Sequence, residues 1–207
     1  MLAALAIVVL AYLIGSVSFA VVVSRAFGLP DPHDYGSGNP GATNVLRTGN
    51  RAAALITLLG DGLKGFVAVL VAQQLAEALG AASWTVPAAA LAVFLGHLYP
   101  LYHGFRGGKG VATALGVQFG LWWPIGLTVA AVWLFVAKVL RISSLSALVS
   151  MALAPLIVWF FWPEPILLGM QVLISLLLFW RHRSNIANLI SGQEGKIGRT
   201  DEDLPGV

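Results

Sequence analysis

Seven apolar stretches, separated by short polar or proline-rich breaks, occupy most of the sequence, and no other feature constrains the fold as tightly. A helix needs about 20 consecutive apolar residues to cross a hydrocarbon core of about 30 Å. Inside that core the backbone polar groups must be satisfied within the segment, so such stretches are read as α-helices. They run from Leu2 to Val23, Ala52 to Leu79, Val86 to Leu101, Val111 to Trp123, Ile125 to Leu140, Ser146 to Phe161 and Ile166 to Trp180. Trp162-Pro163-Glu164-Pro165 breaks the chain between the last two. With 58% hydrophobic and 10% charged residues, the chain has too little polar surface to coat a water-soluble globule. The expected fold is all-α: a polytopic integral membrane protein of about seven transmembrane helices. The fourth is short, about 20 Å as a helix, and is expected to tilt or to enter and leave on one side.

Lys and Arg near the ends of spans are retained on the cytoplasmic side. All 12 of them follow odd-numbered stretches. Arg25, Arg47 and Arg51 surround the first connection, Arg106 and Lys109 follow stretch three, Lys138 and Arg141 follow stretch five, and Arg181, Arg183, Lys196 and Arg199 follow stretch seven. Lys64 lies a little further along stretch two. The N-terminus is therefore expected outside and the C-terminus in the cytoplasm. Trp84, Trp122, Trp123, Trp159 and Trp162 fall at the opposite turns, where interfacial aromatics belong.

The first stretch has no basic leader and no evident cleavage site, so it reads as a retained helix. Residues 1–192 read as a single transmembrane domain and 193–207 as a polar C-terminal tail. The chain has no cysteine, which excludes disulfides, thiol nucleophiles and cysteine metal sites.

Three segments on the basic side are richer in glycine and polar residues than a connection requires. The first reads Gly36-Ser37-Gly38-Asn39-Pro40-Gly41-Ala42-Thr43-Asn44-Val45-Leu46-Arg47. Its glycines permit close approach of a ligand to the backbone. Ser37, Asn39, Thr43 and Asn44 supply short hydrogen-bonding groups, and Arg47 a fork suited to phosphate. The second reads Phe105-Arg106-Gly107-Gly108-Lys109-Gly110-Val111-Ala112-Thr113. Glycines leading into a helix start expose free N–H groups at the positive end of a dipole, and Lys109 adds a full charge. This is not a Walker motif, because His103 stands where its first glycine belongs and Gly110 where its Ser or Thr belongs. The third runs from Arg181 to Glu194. If stretch seven continues as a helix, His182, Asn185 and Leu189 share a face.

Asp61 and Lys64 lie inside the second stretch at a spacing that allows an ion pair. Their expected role is to support the floor of a site, with Gly60-Asp61-Gly62 as an alternative break in the helix. His97, His103 and His33 are weaker candidates, and His97 is expected to hydrogen-bond within the bundle.

Taken together, GSGNPGATNVLR, HLYPLYHGFRGGKGVAT and RHRSNIANLISGQE, with DGLKG in stretch two, resemble the bacterial acyl-phosphate:glycerol-3-phosphate acyltransferase (PlsY) family over nearly the whole chain. The resemblance implies transfer of a fatty acyl group from acyl phosphate to the 1-hydroxyl of glycerol 3-phosphate, giving lysophosphatidic acid and inorganic phosphate. It implies a multi-pass enzyme of the bacterial inner membrane, with its active site on the cytoplasmic side and no cofactor or metal. Membrane lipid and the soluble enzyme that makes acyl phosphate are the partners expected, and nucleic acid is not.

Carried onto matching positions, the resemblance makes Ser37, Lys109, His182 and Asn185 catalytic. Phosphate binding falls to Lys109 and the Gly107, Gly108 and Gly110 amides, with Arg47 and Asn44 on one of the two phosphates. Gly36, Gly38, Asn39, Thr43, Arg106 and Glu194 complete the substrate site, and Asp61, Lys64 and His97 support it. The general base is either His182 or a substrate phosphate oxygen. The His-x4-Asp pattern of acyltransferases that use acyl-CoA or acyl carrier protein follows none of His33, His97, His103 or His182. The rival reading is a transporter of a phosphorylated anion, which would need a polar site near the midplane.

Overall fold

A computed structural model describes residues 1–197. Residues 198–207, with Arg199 and most of the expected tail, lie outside the described residues. The helices are α1 (Leu2–Gly15), α2 (Phe19–Ala26), α3 (Ala42–Leu46), α4 (Arg51–Ala78), α5 (Thr85–Leu98), α6 (Val111–Leu121), α7 (Trp123–Leu140), α8 (Ser143–Phe161), α9 (Pro165–Arg181) and α10 (Arg183–Ile190). The fold is all-helical, and its long helices run alternately up and down. α1 and α5 approach closely where Gly15 meets Val93 and Gly96 meets Tyr12, and the Tyr12 hydroxyl donates to the Tyr99 carbonyl at 2.8 Å. α7 and α8, and α8 and α9, are joined by connections of two and three residues and so run antiparallel. Every connection rich in Lys and Arg therefore falls at one end of the bundle.

Of the about seven spans expected, five are long and apolar enough to cross a membrane among the described residues: Leu2–Ala26, Arg51–Ala78, Thr85–His103, Trp123–Leu140 and Ser143–Phe161. A sixth appears only if α9 and α10 are taken together across a 61° bend. α6 has 11 residues and rises only about 16 Å. It is short because the chain before it doubles back into the bundle. The backbone of Gly107 lies against the His97 and Leu98 carbonyls, and Gly110 lies against the Phe94 and Leu98 side chains. α6 thus starts beside the last turn of α5.

The α4–α6 contact is the closest in the bundle. The two helices run parallel, and a Cβ on Gly116 would overlap the Gly62 carbonyl oxygen, while one on Gly65 would overlap that of Thr113. α4 is continuous from Arg51 to Ala78, so Gly60-Asp61-Gly62 does not break it. Asn50 starts it, its Oδ1 accepting from Ala53 N–H at 2.9 Å.

The core is apolar, with Phe94, Val117, Ile125, Ile174 and Leu178 fully buried. One polar staple crosses it. Gln118 Nε2 donates to Gln171 Oε1 at 3.0 Å, Gln171 to Ser175 Oγ at 3.2 Å, and Ser175 to the Met151 carbonyl at 2.7 Å, which ties α6, α8 and α9. Its polar groups are matched largely to one another, which is how a lipid-embedded core tolerates them. Large apolar side chains such as Leu59, Leu134, Phe135, Phe160 and Leu176 face outward.

Two local expectations change. Stretch seven does not continue through His182, where the chain turns from α9 into α10. Residues just beyond 192 are not a free tail either, since Ile197 N–H donates to the Arg141 carbonyl at 2.7 Å and pins the segment to the α7–α8 connection.

Candidate active site

The first motif folds into a loop closed by α3. Asn44, 2% exposed, organises it: Nδ2 donates to the Pro32 and Tyr35 carbonyls at 2.8 and 3.2 Å, and Oδ1 accepts from Ser37 N–H at 3.0 Å. Its carboxamide serves the loop backbone, so the side chains of this motif left to meet a ligand are those of Ser37, Asn39 and Arg47. Gly36 has φ 57°, and a Cβ there would collide with Asn44 Oδ1 and crowd Arg47. The Ser37 side chain, like Gly38 and Thr43, is exposed, and Asn39 is half-buried.

The second motif is held from two sides. Gly108 N–H donates to the His97 carbonyl at 3.1 Å, while Arg181 donates from Nε to the Gly108 carbonyl at 3.1 Å and from Nη2 to that of Gly107 at 2.7 Å. With those groups fixed, no backbone carbonyl accepts from Lys109 or Gly110 N–H, and the first turn of α6 adds its own free N–H groups. His33 Nε2 meets the Arg106 carbonyl at 2.9 Å and fastens the first loop to the second. The Arg106 side chain is exposed.

The third motif closes the site through the 61° bend. His182 is 3% exposed, and its Nδ1 lies 2.8 Å from the Leu178 carbonyl, which places a proton on Nδ1 and leaves Nε2 as acceptor. Burial pushes this imidazole down to about 4, against the Leu178 bond, with Lys109 and Arg181 adding to the depression. Lys109 Nζ donates to Asn185 Oδ1 at 2.5 Å, Asn185 Nδ2 donates to Glu194 Oε1 at 2.7 Å, and Ser144 Oγ donates to the same oxygen at 2.6 Å. Burial lowers the Lys109 pKa; Glu194 opposes the shift, and Arg181 and Arg47 reinforce it. Around Asn185, Lys109, Arg181 and Arg47 thus face one carboxylate, Glu194, a field that favours anions.

These contacts form a ring. The first loop touches the second at His33 and where Pro40 meets Gly108, the second touches α9 and α10 through Arg181 and Asn185, and Glu194 bridges to α8. A 3.4 Å contact between Thr43 Oγ1 and Ser143 Oγ brings α8 back to the first loop. Below the glycine loop, Lys64 Nζ lies 3.0 Å from Asp61 Oδ1, and His97 Nδ1 3.5 Å from the same oxygen. His103 lies in the short turn after α5, where its carbonyl accepts from Arg106 N–H at 3.1 Å and its side chain makes no hydrogen bond among the described residues. An apolar groove of about 480 Å³ lies away from the ring, between α7 and α8.

Sequence reasoning missed Ser143 and Ser144 and treated Arg181 only as an anchor. The signal was present for the serines, since Ser143-Ser144 stands just before an apolar run, as a helix start does. For Arg181 there was none: its role depends on two carbonyls more than seventy residues away in the chain.

The sequence model of the family described as glycerol-3-phosphate acyltransferase matches residues 5–192. A glycerol-3-phosphate acyltransferase of Thioalkalivibrio sulfidiphilus is 57% identical over 198 residues, 96% of each chain. One from Cupriavidus metallidurans is 56% identical over 190 residues, 92% of this chain and 94% of the relative. Among solved structures, the crystal structure of PlsY (YgiH), an integral membrane glycerol 3-phosphate acyltransferase, in its glycerol 3-phosphate form superposes with a TM-score of 0.87. It is 38% identical and covers 94% of this chain and 96% of its own. Its lysophosphatidic acid form gives a TM-score of 0.85 at the same identity, over 94% and 95% of the two chains.

Proposed function

The chain belongs to the glycerol-3-phosphate acyltransferase family, and we propose that it transfers a fatty acyl group from acyl phosphate to the 1-hydroxyl of sn-glycerol 3-phosphate. The hydroxyl oxygen bonds to the acyl carbon, the bond from that carbon to the phosphate oxygen breaks, and lysophosphatidic acid and inorganic phosphate result. The observation that carries this reading is the Lys109–Asn185–Glu194–Ser144 chain of hydrogen bonds beside the recessed glycine loop. It sets an ammonium, free amides and a neutral imidazole at one point of an otherwise apolar bundle. Two phosphate-bearing substrates bring about four negative charges there.

Lys109 Nζ and the Gly107, Lys109 and Gly110 amides hold phosphate, the expected Gly108 amide being taken by the His97 carbonyl, and Arg47 takes the second phosphate. Ser37 and Asn185 orient the glycerol. His182, kept neutral by burial, accepts a hydrogen bond from the attacking hydroxyl through Nε2. Such an imidazole is a weak base, so the proton passes on to a phosphate oxygen; with acyl phosphate as donor the leaving group is good enough for this to suffice. The clustering of basic residues supports a cytoplasmic active site in the bacterial inner membrane.

Purified protein in lipid nanodiscs, given acyl phosphate and glycerol 3-phosphate, is expected to release phosphate and lysophosphatidate in equal amounts. Equal turnover with acyl-CoA in place of acyl phosphate would refute the donor assignment. No product with acyl phosphate of any chain length would refute the reaction.

A further inference from the structure

The buried charges of α4 take no direct part in the reaction proposed above, yet they connect to it. Asp61 and Lys64 are 3% and 4% exposed in the middle of an apolar bundle, where ionised groups persist only with partners or a task. Lys64 Nζ donates at 2.7 Å to the Val17 carbonyl, which the break between α1 and α2 leaves free. Its charge compensates Asp61 at 3.0 Å. Asp61 Oδ1 in turn lies 3.5 Å from His97 Nδ1, a charge contact to a buried nitrogen that has no hydrogen-bond partner among the described residues. A carboxylate beside Nδ1 keeps the proton there and turns the lone pair of Nε2 to the other side of the ring. That side meets Gly108, where a Cβ would overlap Nε2. The main chain of His97 holds the same glycine through its carbonyl, and Thr113 Oγ1 donates to the Asp61 carbonyl at 2.9 Å, tying the first turn of α6 to the same point.

We propose that Asp61 and His97 are positioning residues for the phosphate-binding loop: Asp61 fixes the imidazole, and the imidazole fixes the Gly108–Lys109 peptide. The loop amides and Lys109 Nζ then keep the spacing that a phosphate group requires. This rests on the assignment of Gly107–Gly110 to phosphate. Loss of either residue loosens the loop without removing any group that touches substrate, so it weakens phosphate binding more than turnover.

The test uses the full-length protein in nanodiscs and three readouts: KM for glycerol 3-phosphate, kcat, and the inhibition constant of inorganic phosphate. Asp61→Asn and His97→Gln are each expected to raise KM and the phosphate inhibition constant about tenfold, with kcat within about threefold of wild type. The double variant is expected to show about the same tenfold, because one residue acts through the other. Multiplication of the two effects to about a hundredfold would overturn the proposal. So would a fall in kcat, or in the unfolding midpoint, with the phosphate constant unmoved. If Asp61→Asn does not fold, His97→Asn carries the test, since it keeps a donor towards Asp61 and vacates the space against Gly108. It is expected to raise the phosphate constant at an unchanged midpoint. Wild-type protein on which phosphate does not compete would instead refute the phosphate assignment itself.

Discussion

Gly116→Ala puts the closest helix contact of the bundle on trial. A Cβ at this position would stand 2.8 Å from the carbonyl carbon of Gly62 and 3.0 Å from the amide nitrogen of Phe66, and would overlap the Gly62 oxygen. All three are main-chain atoms in the middle of α4, so no side chain can rotate away. Ordinary contact between such atoms begins at about 3.5 Å, so α6 must back off from α4 by about 1 Å. Overpacking of this kind costs about 1–3 kcal/mol, and backbone obstacles put it at the upper end. For a chain of this size that is a drop of about 6–12 °C in unfolding midpoint, read from the fluorescence of its seven tryptophans. Two controls isolate the cause. Gly169→Ala meets nothing within 4 Å, and Gly62→Ala meets only the Ala112 carbonyl oxygen at 3.6 Å, so both should stay within about 2 °C of wild type. Because α6 carries the glycine loop at its start, Gly116→Ala should also raise KM for glycerol 3-phosphate. A Gly116→Ala protein that melts with the two controls would show that α4 and α6 are not in this contact.

Lys109→Met should lower turnover by about a hundredfold or more, and Lys109→Arg should not restore it, because a planar fork cannot occupy the point at which Nζ meets Asn185. The His182 imidazole titrates near 4 in the folded chain and near 6.5 when unfolded. As pH falls through that window the unfolded chain takes up the proton first, so stability worth about 3 kcal/mol at most is lost between pH 6.5 and 4. A His182→Asn variant lacks this slope, and parallel midpoint-versus-pH curves for the two proteins would refute the buried neutral imidazole. Ser144→Ala removes a bond to Glu194 and should free the segment around it, seen as faster tryptic cleavage at Lys196 in protein whose unfolding midpoint falls only slightly.

The helices were legible because lipid imposes a length and an apolar composition on each of them, and the basic end because Lys and Arg cluster on one side of that pattern. The three polar motifs were legible as sites of chemistry for the complementary reason: glycine and short polar residues are unexpected between such helices. What escaped was whatever depends on contacts between distant parts of the chain. Nothing near His182 announces a 61° bend, and a run such as Arg181-His182-Arg183 is compatible with a continued helix. Asn44 reads as a ligand by residue type, and only the fold reveals that its amide is occupied by Pro32, Tyr35 and Ser37. Glu194 and Ile197 belong by composition to a polar tail, yet the α7–α8 connection holds them.

The short α6 shows how a deficit in one element can serve another. A full-length helix here would have carried its start, and the glycines before it, out to the bundle surface. Because Gly107–Gly110 turns back along α5, the free amides and Lys109 sit against the last turn of that helix, beside the buried faces of Phe94 and Leu98. An ammonium at that depth is costly, which is why its pKa is lowered, and the same low dielectric strengthens its attraction to an incoming phosphate. The recess also matches the geometry of the proposed reaction. A fatty acyl donor lying among lipid chains presents its carbonyl below the headgroup level, whereas glycerol 3-phosphate arrives from water. A phosphate loop at the bundle surface would hold the second substrate too far from the first. Set back into the bundle, with Arg181 gripping its carbonyls from α9, the loop can meet both without either helix leaving the membrane.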